Sequence, residues 1–188
     1  TSSFWDCGEF IATAYKLEVG HPPGAPFFMI LGRFFTLFAF GNEQAVAATM
    51  NALSALASAF TILFLFWTIT HLVRKLYGIK ESYNPTQLIT MLGAGAVGAL
   101  AYTFSDSFWF SAVEAEVYAT SSLFTAFVFW AMLKWENTAD DKYANRWLIL
   151  IALVMGISIG THLLNLLAIP ALVFVYYFRK FSFSWRGF

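Results

Sequence analysis

Two carboxylates one helical turn apart, Asp6 and Glu9 in Phe4-Trp5-Asp6-Cys7-Gly8-Glu9, have the types and spacing for chemistry. Such a pair can take a proton from a weak nucleophile, one member orienting the other, or can hold a divalent cation. The same spacing also suits a helix start, with Asp6 as the cap and Glu9 in the first turn. Both readings stand at this stage. His21, in Gly20-His21-Pro22-Pro23-Gly24, sits in a turn whose prolines restrict the backbone. It is either a hydrogen-bonded structural residue or a contact for metal or phosphate, and His162 divides the same way.

A second acidic group lies in Asp106-Ser-Phe-Trp-Phe-Ser-Ala-Val-Glu114-Ala-Glu116-Val-Tyr118. Glu114 and Glu116 are two residues apart and point in different directions on a helix. Glu116 heads an uncharged stretch, where an acid is favourable at a helix N-terminus; its other reading is a substrate contact. Arg33, alone in an aromatic helix, reads as a headgroup contact reaching for lipid phosphate. Trp5 and Trp109 read as interfacial aromatics or as faces that pack against a sugar. The single cysteine, Cys7, excludes a disulfide framework within the chain and any CxxC metal site. No Walker loop, GxGxxG, HExxH or GxSxG pattern occurs.

These residues need a scaffold, and composition names its class. Of 188 residues, 59% are hydrophobic, 20% aromatic and only 12% charged, about half the charge of an ordinary soluble domain. Eleven basic residues balance eleven acids, which excludes a basic nucleic-acid binder. The expected class is all-α, a polytopic transmembrane helical bundle. Crossing roughly 30 Å of hydrocarbon takes about 20 apolar helical residues, and the spans are expected at about 44–71, 86–105 and 116–134. The uncharged stretch 147–178, interrupted at Gly160-Thr161-His162, Asn165 and Pro170, is expected to be a re-entrant or short helical pair. Residues 1–43 form a first outer loop with two short interfacial helices, roughly 8–18 and 24–40, and 44–188 the transmembrane region. Gly93, Gly95 and Gly98 with their alanine neighbours predict close helix packing.

Basic residues gather on cytoplasmic loops. Arg74, Lys75 and Lys80, then Lys134, Lys142 and Arg146, then Arg179, Lys180 and Arg186 share one side if 147–178 is a hairpin. That orientation puts nine basic residues and four acids inside, and two basic residues and seven acids outside. The chain starts at Thr1 without a basic, apolar leader, and is expected to be a fragment of a longer protein.

The stretch FWDCGEFIATAYKLEVGHPPGAP, with FSDSFWFSAVEAEVYA and GTHLLNLLAIP further on, resembles a bacterial membrane family of formerly unknown function. That family is related to the eukaryotic membrane protein O-mannosyltransferases, within the GT-C glycosyltransferases. The resemblance implies a GT-C bundle and transfer of a sugar, mannose being the candidate, from a polyprenyl-phosphate donor to a hydroxyl of a protein or glycan. It implies an active site on the outer face of a bacterial cytoplasmic membrane. By the same resemblance Asp6 is the key acid of the first outer loop, with Glu9 beside it. His21, Arg33, Glu116, His162 and Trp5 are candidates for substrate or lipid-phosphate contacts. A divalent cation on Asp6 and Glu9 is the candidate cofactor. A transporter with acids along its path and a non-catalytic scaffold remain the alternatives.

Overall fold

A computed structural model describes residues 6–78, 80–182 and 184. Trp5, an expected substrate contact, and Arg186, of the third basic cluster, lie outside the described residues. Every described element is helical, and the chain forms a helical membrane bundle.

Helix α1 (Cys7–Lys16) buries Cys7, Phe10 and Ala14, a 3-4 spacing that lines one face. It stops where Leu17 turns left-handed, and the next helix starts only after Gly24 and Ala25 do the same. Both helices are therefore shorter than their patterns predict. Helix α2 (Pro26–Thr36) opens on a proline, whose missing N–H costs nothing at a first helical position, and ends in one 3₁₀ turn, Leu37–Ala39. Gly32 is where it crosses: a Cβ there would lie 2.8 Å from Met50 and 3.0 Å from Ala14.

Helix α3 (Glu43–Leu76) is capped by Asn42, whose side chain accepts from the Gln44 N–H at 3.1 Å. Its 34 residues reach about 50 Å at 1.5 Å each, well beyond the hydrocarbon thickness. A capping box, Asn84 with Gln87, starts α4 (Pro85–Thr103). The segment after it is no plain loop: α5 (Asp106–Val113) is a short helix set at 68° to α4. Ser105 caps the bend in extended backbone, and the rings of Tyr102 and Phe108 meet across it at 4.4 Å. Helix α6 (Val117–Asn137) follows; then come α7 (Asn145–Ile159), a 3₁₀ turn at Leu163–Leu167 and α8 (Ala168–Lys180). By length and composition Glu43–Leu76, Val117–Asn137 and Leu163–Lys180 could each cross a membrane, and α4 with α5 could form a fourth, bent span.

The central helix α3 packs against α4 and α6, and α6 carries α7 and α8. Gly95 and Gly98 let α4 approach closely, since a Cβ would fall 2.5 Å from Thr70 and 2.6 Å from Ile69. Gly93 faces open space instead. Lys75 pairs with Glu136, and Arg179 with Asp140, so α3, α6 and α8 all end at one pole, here the basic end. The opposite, acidic end gathers the starts of α1 and α6 and the α4–α5 bend.

Two contacts bring the α7–α8 break to that acidic end. Buried Asn165 accepts from Ser121 Oγ at 2.7 Å and Thr125 Oγ1 at 3.0 Å, which pins the 3₁₀ turn to α6. The Phe27 N–H donates to the Gly160 carbonyl at 2.8 Å, joining the start of α2 to the end of α7. The long uncharged stretch is thus two legs meeting at Gly160–His162.

Candidate functional site

Helix α1 presents Asp6 at its N-cap and Glu9 one turn on, toward the turn that carries His21. Asp6 occupies the cap position, but its side chain makes no cap hydrogen bond. Its Oδ2 instead lies 3.7 Å from His21 Nε2. Glu9 holds the other side of the same ring: Oε2 is 3.0 Å from Nδ1, and Oε1 accepts the His21 backbone N–H at 2.6 Å. Gly20 permits this approach, as a Cβ there would sit 3.0 Å from the Glu9 carboxylate. The two bonds from His21, backbone first, hold the Glu9 carboxyl below its usual range. Glu9 in turn raises the His21 pKa, its hydrogen bond acting more strongly than its charge. The imidazole is therefore favoured as a cation clamped between two carboxylates.

Glu116 arrives from the N-cap of α6, over one hundred residues along the chain. It is 6% exposed. Burial first, then the charges of Asp6 and Glu114, push its pKa up to about 7. Asp6 and Glu116, with Tyr118, stand between two cavities. The smaller, about 310 Å³, also involves His21, Thr161 and His162. The larger, about 910 Å³, is lined by Phe104, Trp109 and Phe110 among Asp106, Ser107 and Glu114.

His162 accepts the Leu164 N–H on Nδ1 at 3.1 Å, and its ring lies 5.5 Å from that of Tyr118. Beside it Thr161 is 2% exposed, and its hydroxyl has no hydrogen-bond partner among the described residues. A buried hydroxyl without a partner is costly, and this one borders the smaller cavity.

The structure thus groups Asp6, Glu9, His21, Glu116 and His162, and it keeps Arg33 elsewhere. Arg33 Nη1 donates to the Tyr15 carbonyl at 2.7 Å, with the guanidinium 5.5 Å from the Tyr15 ring. That places it about 13 Å along α1 from Asp6 by helical rise, bracing α2 against the far end of α1. Sequence reasoning assigns no role to Tyr118 or Thr161, and their adjacency to Glu116 and His162 is the one cue it contains. Asp6, Glu9 and His21 each offer a ligand atom within 4.8 Å of the others, a donor set of two carboxylates and an imidazole that suits a divalent cation.

Residues 6–185 match the family described as the protein O-mannosyl-transferase TMEM260 N-terminal domain. The chain is 30% identical over 161 residues to the mouse protein O-mannosyl-transferase TMEM260, an overlap of 85% of this chain and 20% of that protein. It is 26% identical over 121 residues to the Dictyostelium discoideum protein O-mannosyl-transferase tmem260, covering 64% of this chain and 13% of the relative. The chain therefore spans a fifth or less of the length of these relatives. No solved structure matches it.

Proposed function

Since the chain belongs to the protein O-mannosyl-transferase TMEM260 N-terminal domain family, we propose that it carries the reacting end of a membrane glycosyltransferase. The donor is mannose on a polyprenyl phosphate, and the acceptor is a hydroxyl of a protein Ser or Thr, or of a glycan. The acidic end faces the non-cytoplasmic side, a reading supported by the basic residues collected at the other pole. The resemblance to the bacterial branch supports a bacterial cytoplasmic membrane as its location.

One observation carries this reading: Asp6 borders both cavities at once. A transferase must present a donor and an acceptor to the same base from two directions. The smaller cavity, with His21, His162 and the Thr161 hydroxyl, suits a phosphate. The larger, aromatic one suits the acceptor. As the acceptor oxygen bonds to the anomeric carbon, the bond from that carbon to the phosphate oxygen breaks. The acceptor proton passes to Asp6, and polyprenyl phosphate leaves. His21 stabilises the charge developing on the phosphate. Glu9 keeps His21 protonated and oriented. Glu116, which titrates near pH 7, lessens the negative field that the phosphate meets when it carries its proton. Arg33 remains a candidate lipid-phosphate contact at the far end of α1, apart from this step.

A divalent cation is a second reading, favoured by the donor spacing of Asp6, Glu9 and His21. These three residues would hold it, and it would supply positive charge for the phosphate. The imidazole would have to be neutral to act as a ligand, so binding would release the proton that Glu9 otherwise favours.

The test uses the full-length protein in liposomes with labelled mannosyl polyprenyl phosphate and peptide, lipid and glycan acceptors. Label should move to an acceptor hydroxyl, and Asp6→Asn should stop it while the protein stays folded. Absence of transfer to every acceptor, or wild-type turnover by Asp6→Asn, overturns the reading. Uptake of a solute into the same vesicles without transfer supports the transporter alternative instead. Loss of transfer in chelator, restored by added metal, supports the cation.

A further inference from the structure

At the basic end, far from Asp6, a groove of about 400 Å³ opens between α3, α4 and α6. Its walls include Trp67 and Trp130, whose rings lie 5.7 Å apart, and Met91 helps to form its apolar floor. Arg74 and Lys134 stand on it as well, one from the last turn of α3 and one from the last turn of α6.

The charges at this pole are unequally satisfied. Lys75 has Glu136, while Arg179 and Lys180 share Asp140. Arg74 and Lys134 have no carboxylate within ion-pair distance among the described residues. Lys134 rests over the Trp130 ring at 5.4 Å, and Arg74 reaches the Tyr83 hydroxyl. Both contacts leave the positive charge uncompensated. Between them His71 lines the groove, with Nδ1 3.5 Å from the Asn137 amide and Nε2 buried without a hydrogen-bond partner among the described residues. The result is an apolar channel on a membrane helix bundle, with aromatic walls, two cations and one free imidazole nitrogen.

We propose that this groove binds an anionic phospholipid. Its phosphate sits between Arg74 and Lys134, and one acyl chain follows the apolar floor along α4. Charge complementarity selects the occupant. A zwitterionic lipid brings its own cation toward Arg74 and Lys134, whereas a phosphatidylglycerol leaves them a net negative charge. The aromatic walls suit the depth where headgroup meets chain.

Native mass spectrometry of the full-length protein in mild detergent, titrated with phosphatidylglycerol or phosphatidylcholine, tests this. Phosphatidylglycerol adducts should persist and phosphatidylcholine adducts should not. Arg74→Gln or Lys134→Gln should each weaken the adduct roughly fivefold, and the double variant by about 25-fold. Lys134→Arg should retain it, as should Lys142→Gln, which removes a cation from the same pole but not from the groove. Melting temperature in detergent confirms that each variant is folded. Equal retention of both lipids overturns the proposal, as does an unaffected double variant. Equal loss in Lys142→Gln also overturns it, because the attraction is then diffuse.

Discussion

The two poles of this bundle use ionisable residues in opposite ways. At the basic end Glu136 and Asp140 each meet a cation from another helix, so the charges fasten the ends of α3, α6 and α8 together. At the acidic end Asp6 and Glu9 share one histidine. Glu116 is buried beside Asp6, and one oxygen of Glu114 is buried without a hydrogen-bond partner among the described residues. Charges in matched pairs hold helices in place. Charges in excess, set around cavities, are kept at a cost that a ligand can repay. The groove at Arg74 and Lys134 follows the same logic within the basic end itself.

The sharpest way to break this contrast is Asp6→Asn. Loss of a positioned general base lowers turnover by about 10²–10⁴-fold, and labelled mannose transfer should fall that far with the melting temperature unchanged. Next is Glu9→Gln. The Glu9–His21 pair persists above the depressed pKa of Glu9 and below the raised pKa of His21. Transfer by the wild type should therefore decline on both sides of that window. The substitution lets the His21 pKa drop, so the alkaline limb of the pH–rate profile should move to lower pH. Asn165→Leu should cost about 1–3 kcal/mol, because the hydroxyls of Ser121 and Thr125 lose their buried acceptor. It should also raise the KM for donor, since the turn carrying His162 is no longer pinned. Glu116→Gln tests the buried carboxyl beside its two acidic neighbours. A carboxyl raised to about 7 favours folding below its unfolded pKa, and that advantage is lost as pH rises through 7. The wild-type melting temperature should fall between pH 5 and pH 8, and the variant should flatten that slope. The smallest effect belongs to Lys75→Gln, a partly exposed pair expected to contribute no more than about 1 kcal/mol. Transfer should be unaffected, and a large loss of transfer there would erase the distinction between the poles.

Much of the scaffold was legible because it depends on local composition. Uncharged runs marked α3, α4 and α6, and Gly160-Thr161-His162 marked the place where the last stretch breaks. The grouping of Asp6 with Glu9 was legible too, since a three-residue spacing on a helix is fixed by its pitch. Other features were settled only by distant packing. Asp6 stands at a cap position that sequence rules recognise, yet its carboxylate turns to His21, because Glu9 already holds the ring from the other side. The helix at Asp106–Val113 falls between the expected spans, since eight residues bounded by acids carry too little pattern to declare a helix. Nothing in the spacing puts Glu116 beside Asp6. That neighbourhood depends on α3 and α6 lying together and on α1 folding back over them. Arg33 carries both kinds of signal: its composition suggests lipid phosphate, and tertiary packing adds the Tyr15 carbonyl as a partner that no spacing announces.

The hydrogen bond from the Phe27 N–H to the Gly160 carbonyl has a consequence for biosynthesis. It ties a segment made early to one made more than 130 residues later. The ribosome delivers the acid pair long before the hairpin that completes their surroundings. A half-inserted chain therefore displays Asp6 and His21 without Thr161 and His162, and the smaller cavity has no far wall. The smaller cavity is therefore complete only once the break between α7 and α8 has been made.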